Sequence, residues 1–374
     1  MPFQAYDRAA AWQVDDLACD KSWIYPIEDA AAAQLAAATE QAFEPDRPLF
    51  EYTQEDFDFG LALETIRRAF KEAHFGRGFS LVKGLPRARL SAEQFRILVW
   101  GIGLHLGVAR PQGKASHYIS EVRATGNVYR AAGGRGYNTN SSLDFHADGC
   151  DVVALACFNK AKAGGQSMVS SSVSAWETLL AERPDLAEIA TGTFYFSRNQ
   201  EEAPGENPYY GQPLFDFECG RIFGKWNRNR VRTAQDIAGV PQLTEAQREC
   251  TDLLDYILRR PNIMFTMWLE PGDLQFMNNH LMLHSRTEFE DFDEPERQRL
   301  LYRLWLAPPD SVLLPETWAE YFRSVAPGSV RGGIRGHHHD ETCRTFEARQ
   351  AKALGMNVPP PRIDVPIAVK DSIR

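Results

Sequence analysis

The chain has 374 residues, of which 44% are hydrophobic and 24% charged, a composition that favours a folded globular protein over disordered, collagen-like or small disulfide-bonded classes. Its 50 acidic residues outnumber its 41 basic ones and give a net charge of −9, which disfavours nucleic acid and anionic membranes as partners. No apolar run reaches the about 20 residues needed to cross a bilayer, and the first residues lack the features of a secretory signal.

The first predicted elements are two helices and a short strand. The alanine-rich residues 29–44 predict a surface helix, and residues 78–84 predict a buried strand that ends in a turn. Ser91 and Gln94 have the spacing of a capping box and precede an apolar segment that runs through Leu104. We therefore expect a capped helix over that segment.

From about residue 117 to residue 172 the pattern becomes that of β-structure. Short apolar runs between glycine-containing turns predict strands near 119–122, 128, 152–158 and 168–169. A helix is predicted over 173–182, with Ser172 or Ser174 as its cap. Another helix is predicted after Thr244, which has the spacing of a capping box with Gln247.

Strands resume at 263–269, 274–278 and 300–306, and the chain becomes polar after Pro308, with 327–340 expected to be mobile. Strands on both sides of a helical insertion favour a closed or sandwiched antiparallel core over alternating βαβ units. We predict a single elaborated domain over 1–374. Its parts are an N-terminal helical and loop extension (1–77), a core (78–307) with a helical insertion (about 173–260), and a C-terminal extension (308–374).

The cysteines indicate reduced thiols. The six cysteines include no Cys-x-x-Cys pair, so a thiolate zinc site and a thioredoxin-like motif have little support. We expect mostly buried, unpaired thiols in a cytoplasmic protein.

His146 and Asp148 are the residues most suggestive of chemistry. Alternate residues of a strand share a face, so their imidazole and carboxylate project together and suit a divalent metal ion. A Pro-Gly-Asp turn at 271–273 opens another short strand, after which come His280 and His284. Two imidazoles and one carboxylate on one side of a metal form the facial triad of non-haem Fe(II) oxygenases, which leaves positions open for dioxygen and a co-substrate.

Arg299 and Arg303 form a second pattern. They share a strand parity within the apolar segment around 300–306, so both can line the interior of a barrel. A buried guanidinium requires an anionic partner, and its forked geometry suits a carboxylate. Surface salt bridges are the alternative interpretation, but the surrounding leucines and Trp305 favour burial.

Taken in order, these motifs resemble the Fe(II)/2-oxoglutarate-dependent dioxygenases of the taurine dioxygenase and clavaminate synthase-like (TauD/TfdA) family. The resemblance extends from Gly78 to Leu306. It rests on Phe145-His146-Ala147-Asp148, Gly164-Gly165-Gln166-Ser167, Gly272-Asp273, Asn278-Asn279, Leu283-His284 and Arg299-Leu300-Leu301-Tyr302-Arg303. It implies a mainly β fold with flanking helices, the double-stranded β-helix or jelly roll.

The resemblance assigns the metal ligands to His146, Asp148 and His284. In the family an asparagine precedes the distal histidine, and Asn279 matches that asparagine. This match selects His284, and His280 is then the rival ligand.

The resemblance also implies where 2-oxoglutarate binds. Arg299 and the Ser167 hydroxyl correspond to the pair that holds its distal carboxylate, with serine where many relatives have threonine. Arg303 corresponds to an arginine near the metal-side carboxylate or an anionic group of the substrate. The acidic segment 288–296 makes the spacing longer than in the taurine enzyme and leaves Arg297 as the alternative to Arg299.

The implied activity is oxidation of a C–H bond with Fe(II), 2-oxoglutarate and O2, in which 2-oxoglutarate becomes succinate and CO2. Asp148 favours hydroxylation over halogenation, because halogenating relatives carry a small residue in its place. The expected substrate is a small polar molecule such as an amino-acid derivative, carboxylate, sulfonate or natural-product intermediate, and a homo-oligomer is left open. The alternatives are a catalytically silent jelly-roll protein that binds a metal or ligand, and an oxygenase that acts on a peptide.

Weaker signals suggest substrate contacts. The candidates are Gln112, His117, Tyr137, Asn138, Asp151 and Arg303. The first two follow the glycine-bounded unit where relatives place substrate contacts, and the polar, aromatic pair 137–138 comes just before the metal strand. Asp151 could meet a cationic group of the substrate or pair with a lysine. The histidines at 337–339 are interpreted as solvated surface.

Overall fold

The computed structural model describes residues 8–126 and 136–360. Its helices are α1 (Val14–Cys19), α2 (Asp29–Ala42), α3 (Gly60–Phe75), α4 (Ala92–Leu106), α5 (Ser172–Glu182), α6 (Pro184–Ala190), α7 (Arg228–Ala234), α8 (Glu245–Leu258), α9 (Ala319–Phe322) and α10 (Glu341–Ala353). None of these described helices has the length and hydropathy of a membrane-spanning segment.

The strands are short and mostly antiparallel. They are β1 (Ile24–Pro26), β2 (Phe79–Lys83), β3 (Val108–Ala109), β4 (Ile119–Val122), β5 (Val152–Asn159), β6 (Ala163–Gly164), β7 (Ser167–Ser171), β8 (Phe194–Ser197), β9 (Tyr209–Gln212), β10 (Phe215–Glu218), β11 (Arg221–Gly224), β12 (Met264–Met267), β13 (Leu274–Asn278), β14 (Met282–Arg286), β15 (Phe289–Glu290) and β16 (Leu300–Ala307).

The larger sheet has β5 and β16 near its centre. Its strand order is β1-β2-β13-β5-β16-β3, and β4 also pairs with β16. All of these pairs are antiparallel except β1–β2. Every residue of β16 is buried, as expected for a strand whose sheet is covered on both faces.

The smaller sheet has the strand order β12-β7-β14, and both of its pairs are antiparallel. Just before β5, His146 forms an antiparallel bridge with His284 of β14 and another with Asn227. The chain therefore passes from a bridge with the smaller sheet directly into the centre of the larger one. This crossing point is where the candidate site lies.

The larger sheet separates two hydrophobic clusters. One cluster combines side chains of both sheets with α5 and α8, and it includes Val153, Met168 and Leu254. The other lies on the opposite face of the larger sheet with α2, α3 and α4, and it includes Ala154 and Phe276. The neighbours Val153 and Ala154 belong to different clusters because successive side chains of a strand point to opposite faces.

Most predicted elements lie where the sequence places them. Ser91 caps α4 through the predicted capping box with Gln94, and Thr244 caps α8 in the same way with Gln247. The predicted strands at 274–278 and 300–306 correspond to β13 and β16. Val128, also predicted to lie in a strand, is outside the described residues.

Three local predictions are wrong. Helix α5 begins at Ser172, so its cap is neither Ser172 nor Ser174 but Ser171, whose hydroxyl oxygen accepts a hydrogen bond from the amide of Ser174. The insertion at 173–260 is not only helical, because it contains the antiparallel pairs β8–β9 and β10–β11. Residues 329–334 are all buried and are not part of a mobile polar loop.

The burial of 329–334 centres on Arg331. Its guanidinium donates to both carboxylate oxygens of Asp151 at distances from 2.6 to 3.1 Å, and both side chains are fully buried. It also donates to the carbonyl oxygens of Val325 and Ala326. This ion pair connects the C-terminal extension to the residue that immediately precedes β5.

We predict that Arg331→Ala strongly destabilises the protein. Removing one partner of a buried ion pair leaves the other charge uncompensated and costs about 3–5 kcal/mol. Equilibrium urea denaturation measures this loss in the free energy of unfolding. Arg344→Ala is the matched control, because its ion pair with Glu341 is exposed and its loss should change stability little. Equal effects of the two substitutions would contradict the structural role given to Arg331.

Candidate active site

His146, Asp148 and His284 lie together where the two sheets meet. Their ligand atoms all lie within 4.8 Å of one another. Nε2 of His284 is 3.7 Å from Oδ2 of Asp148, and the two imidazole centroids are 4.4 Å apart. The backbones of the two histidines exchange a pair of 2.9 Å hydrogen bonds. The structure therefore brings together the three residues predicted to bind a metal ion.

A backbone hydrogen bond sets the tautomer of His146. Its Nδ1 lies 2.9 Å from the carbonyl oxygen of Asp144. A carbonyl oxygen can only accept, so Nδ1 carries the proton and Nε2 keeps its lone pair. Hydrogen bonds of this kind orient the histidine ligands of metal ions in proteins.

The protonation states of the three side chains suit a divalent cation. Burial and the neighbouring His146 lower the pKa of His284 to about 3, and burial also lowers the pKa of His146. Burial opposes ionisation of Asp148, but Arg303 and the two histidines outweigh it and lower its pKa to about 2. At neutral pH the donors are thus two neutral imidazoles and a carboxylate, the deprotonated forms that a metal requires.

The carboxylate and backbone of Asp148 are held from three directions. Nε1 of Trp305 donates to Oδ2 at 3.0 Å, and the Arg303 guanidinium lies 3.4 Å from Oδ1. The amide of Asp148 donates to Oδ1 of Asn279 at 2.9 Å. Asn279 therefore has a physical role in positioning the ligand segment.

His280 belongs to a different cluster. Its Nε2 lies 2.9 Å from Oδ1 of Asp151, the carboxylate that Arg331 also binds. His280 lies in the turn between β13 and β14, whereas His284 lies within β14. The geometry thus favours His284 over its rival as the metal ligand.

A cavity of about 160 Å³ opens onto these side chains, and Ser167, Arg299 and Arg303 also line it. The Ser167 hydroxyl donates to Oε1 of Gln275 at 3.0 Å. Arg299 is 5% exposed, and burial lowers its pKa to about 10. Within the described residues no carboxylate forms an ion pair with the Arg299 guanidinium. A cation of this kind, facing a cavity, is suited to an anionic ligand.

Arg303 is bound to protein groups. Besides its contact with Asp148, its Nε donates to Oε1 of Gln112 at 2.8 Å. Nε2 of Gln112 in turn donates to the carbonyl oxygens of Tyr118 and Arg303. Gln112 therefore lies behind Arg303 and positions it, and it is not among the described residues that line the cavity.

The other predicted substrate contacts do not come together at the cavity. The side chain of His117 is exposed, and Asp151 is engaged by Arg331 at its own buried site. Asn138 is half-buried and is not among the described lining residues. The side chain of Tyr137 is outside the part of the chain that the structure describes.

Several lining residues were not predicted from the sequence. Lys225 and Asn227 come from the short segment between β11 and α7, and Arg230 comes from α7. Tyr321 and Ile334 come from the C-terminal extension. These segments carry no alternating apolar pattern that would mark one face as buried, so the local sequence gives no sign that they reach the cavity.

The fold and the clustered ligands define a class of enzyme. The model of the family described as "Taurine catabolism dioxygenase TauD, TfdA family" matches residues 45–305, which is more than half of the chain. The protein therefore belongs to this family, and the family and the dioxygenase class predicted from the motifs are confirmed. The matched region includes all of the predicted metal and 2-oxoglutarate ligands.

The chain is similar in sequence to several relatives. FR-33289 synthase of Streptomyces rubellomurinus is 27% identical over 301 residues, which cover 79% of this chain and 88% of the relative. The taurine hydroxylase-like protein SAT17 of Stachybotrys chartarum is 24% identical over 321 residues, covering 80% and 81%. Uridine-5'-phosphate dioxygenase of an Amycolatopsis species is 25% identical over 176 residues, covering 45% and 62%.

Solved structures share the fold at lower sequence identity. An asparagine oxygenase in complex with Fe(II), 3-hydroxyasparagine and succinate has a TM-score of 0.58 at 15% identity, covering 76% of this chain and 93% of that one. The non-haem iron oxygenase OrfP in complex with Fe and α-ketoglutaric acid has a TM-score of 0.53 at 16% identity, covering 76% and 94%. The predicted double-stranded β-helix with flanking helices is thereby confirmed.

We predict that His284→Ala abolishes stoichiometric Fe(II) binding, because two of the three ligands are left. His280→Ala should retain one ion per chain, since His280 bonds Asp151 and not the metal-binding group. Anaerobic calorimetric titration with Fe(II) measures the stoichiometry, and circular dichroism checks that both variants are folded. If a folded His284→Ala protein keeps full stoichiometry while His280→Ala loses it, the ligand assignment is wrong.

Proposed function

We propose that the protein is an Fe(II)/2-oxoglutarate-dependent oxygenase that hydroxylates an unactivated C–H bond of a small polar molecule. The observation that supports this most is one cavity lined both by the His146, Asp148 and His284 cluster and by Arg299. The first group suits a divalent metal ion, and the second suits a carboxylate. 2-Oxoglutarate requires both groups, because one end of it chelates the metal and its distal carboxylate needs a cation further away.

The donor set fits ferrous iron. Two imidazoles and one carboxylate are the ligands of non-haem Fe(II) oxygenases, and they leave positions open for other ligands. When bound, the iron supplies the activation of dioxygen, and the accompanying conversion of 2-oxoglutarate to succinate and CO2 supplies two electrons. Because Asp148 is present, the protein offers a third ligand where a halogenating site would have a small residue, and this supports hydroxylation.

The protein's own contribution is to orient the reactants. Arg299 and Ser167 would hold the distal carboxylate of 2-oxoglutarate, the guanidinium by charge and the hydroxyl by a hydrogen bond. Arg303 and Trp305 hold Asp148 in place. Arg303 also lines the cavity, where it is available to the metal-side carboxylate or to an anionic substrate group.

The substrate is expected to be a small polar molecule. Of the similar proteins named above, one is described as a uridine-5'-phosphate dioxygenase and another is seen bound to 3-hydroxyasparagine. Tyr321 and Ile334 also line the cavity. Both lie beyond the matched family region, so the C-terminal extension forms part of the substrate pocket. A cytoplasmic location and a homo-oligomeric state stay predictions.

A catalytically silent metal-binding role is less well supported. Structural metal sites tend to be fully ligated by protein, whereas the described residues offer three clustered ligands. Arg299 lines the cavity and has no ion-pair partner among the described residues. A structural metal site would not account for this buried cation. A peptide substrate gains no specific support from the cavity, whose volume is only about 160 Å³.

We predict that Arg299→Ala weakens 2-oxoglutarate binding to the Fe(II)-loaded protein by roughly 10- to 100-fold, the size of a lost charge-assisted hydrogen bond. Arg297→Ala is the matched control, because Arg297 is half exposed and pairs with Glu294. Calorimetry under argon gives both affinities, and succinate release with oxygen uptake gives turnover. The reverse ranking would move the anchor to Arg297, and wild-type protein that binds no 2-oxoglutarate would contradict the proposed function.

A further inference from the structure

Lys225 places a buried ammonium group in the wall of the cavity. The residue directly follows β11 and is 3% exposed. Its Nζ donates to the carbonyl oxygen of Asp148 at 3.1 Å and lies 5.1 Å from the centre of the Tyr321 ring. Within residues 8–126 and 136–360 no carboxylate forms an ion pair with it. An ammonium has three donors, so the hydrogen bond to Asp148 leaves capacity for a ligand.

The Lys225 ammonium is buried, and no carboxylate of the described residues forms an ion pair with it. Arg230 is a second cation on this wall, and its own guanidinium is paired with Glu201 at 2.8 Å. Burying an ammonium without a counter-charge is costly, and an apolar residue of similar volume would be more stable there. The charge is therefore better explained by binding than by packing.

Tyr210 adds an independent sign of a ligand on the same wall. It lines the cavity, and its buried hydroxyl has no hydrogen-bond partner among the described residues. Burial raises its pKa to about 12, so the hydroxyl stays a neutral donor. Its ring packs against Tyr321 with the centroids 4.8 Å apart, and Tyr321 is the ring that Lys225 faces. Because buried hydroxyls are normally hydrogen-bonded, this one points to a polar group of a bound molecule.

The wall formed by Lys225, Tyr210 and Tyr321 lies close to the metal ligands. Gly149 follows Asp148 directly, and a Cβ atom at Gly149 would lie only 1.7 Å from the Tyr321 hydroxyl oxygen. Glycine at this position therefore allows the tyrosine to approach the ligand segment. A molecule held on this wall is next to the metal-binding residues.

The charges that line the cavity also favour an anion. The charged side chains of the described lining are Lys225, Arg230, Arg286, Arg299 and Arg303 against Asp144 and Asp148. In the proposed function, the dianion 2-oxoglutarate would offset the two charges of a ferrous ion. Of the lining cations, Arg230 is paired with Glu201, Arg303 contacts Asp148 and Arg286 donates to backbone carbonyl oxygens. Arg299 would hold 2-oxoglutarate, so Lys225 is the lining cation left for the second organic ligand, which is the substrate.

We propose that Lys225 and Tyr210 bind an anionic group of the substrate, namely a carboxylate, sulfonate, phosphonate or phosphate. This rests on the proposed function, because it names the substrate class of the same site. The Lys225 ammonium donates a hydrogen bond to the backbone carbonyl oxygen of Asp148, whose side chain is a metal ligand. An anionic group held by Lys225 therefore lies near the metal, and we expect the oxidised carbon to be only a few bonds from that group. Lys225 is thereby a specificity-determining residue, distinct from the 2-oxoglutarate anchor.

The test uses the full-length protein loaded with Fe(II) and 2-oxoglutarate under argon. Calorimetry measures the affinities for propylphosphonate, propyl phosphate, propanesulfonate and butanoate, with butanol as the neutral probe. We expect at least one acid to bind more tightly than butanol and Lys225→Met to weaken its binding by roughly 10- to 100-fold. Tyr210→Phe should give a smaller loss. Lys162→Met is the matched control and should give none, because Lys162 is exposed and pairs with Glu290.

Two results would overturn the proposal. The first is that none of the acids binds the wild-type protein more tightly than butanol does. The second is that a folded Lys225→Met protein binds the acids with the same affinities as the wild type. If Lys225→Met does not fold, Lys225→Gln takes its place, because it removes the charge while keeping a donor for the Asp148 carbonyl oxygen. The affinities of Lys225→Gln for the same acids and butanol then test the proposal. Wild-type protein that fails to bind 2-oxoglutarate at the loading step would instead contradict the proposed function, so the two failures are distinguishable.

Discussion

The site depends on the two backbone hydrogen bonds that join His146 to His284. Each amide donates to the other residue's carbonyl oxygen at 2.9 Å, so two imidazoles from distant segments of the chain are set side by side. Asp148, two positions further along and outside any strand, places its carboxylate beside the two imidazoles. A slip of one residue would turn a ligand to the opposite face. The register of this bridge therefore fixes the ligand geometry, and burial keeps both imidazoles neutral.

Strand β16 supplies most of what surrounds the three ligands. Arg299, just before it, and Leu301, Arg303 and Trp305 within it all line the cavity, as the period of two predicts. Trp305 and Arg303 reach Asp148, whereas Arg299 has no ion-pair partner among the described residues. One buried central strand thus both holds the metal carboxylate and presents a cation to an anionic co-substrate. Its neighbours β5, β4 and β3 keep these side chains from shifting relative to one another.

Local sequence patterns were sufficient for part of this account. Capping boxes located α4 and α8, and strand parity placed Arg299 and Arg303 on one face, because both depend on spacing within a single element. Contacts between distant segments leave no such signal. Arg331 reaches Asp151 across 180 positions, so its glycine- and arginine-rich surroundings were interpreted as a mobile loop. Lys225 lies in the short segment between β11 and α7 and contacts Tyr321 of the distant C-terminal extension.

The central claim is that one ferrous ion binds His146, Asp148 and His284 in a cavity shared with Arg299. A crystal structure of the protein prepared anaerobically with Fe(II) and 2-oxoglutarate tests it most directly. Anomalous scattering at the iron edge should give one peak among Nε2 of both histidines and the Asp148 carboxylate, with the distal carboxylate of 2-oxoglutarate on the Arg299 guanidinium. An iron peak elsewhere, or 2-oxoglutarate density away from Arg299, would contradict the account.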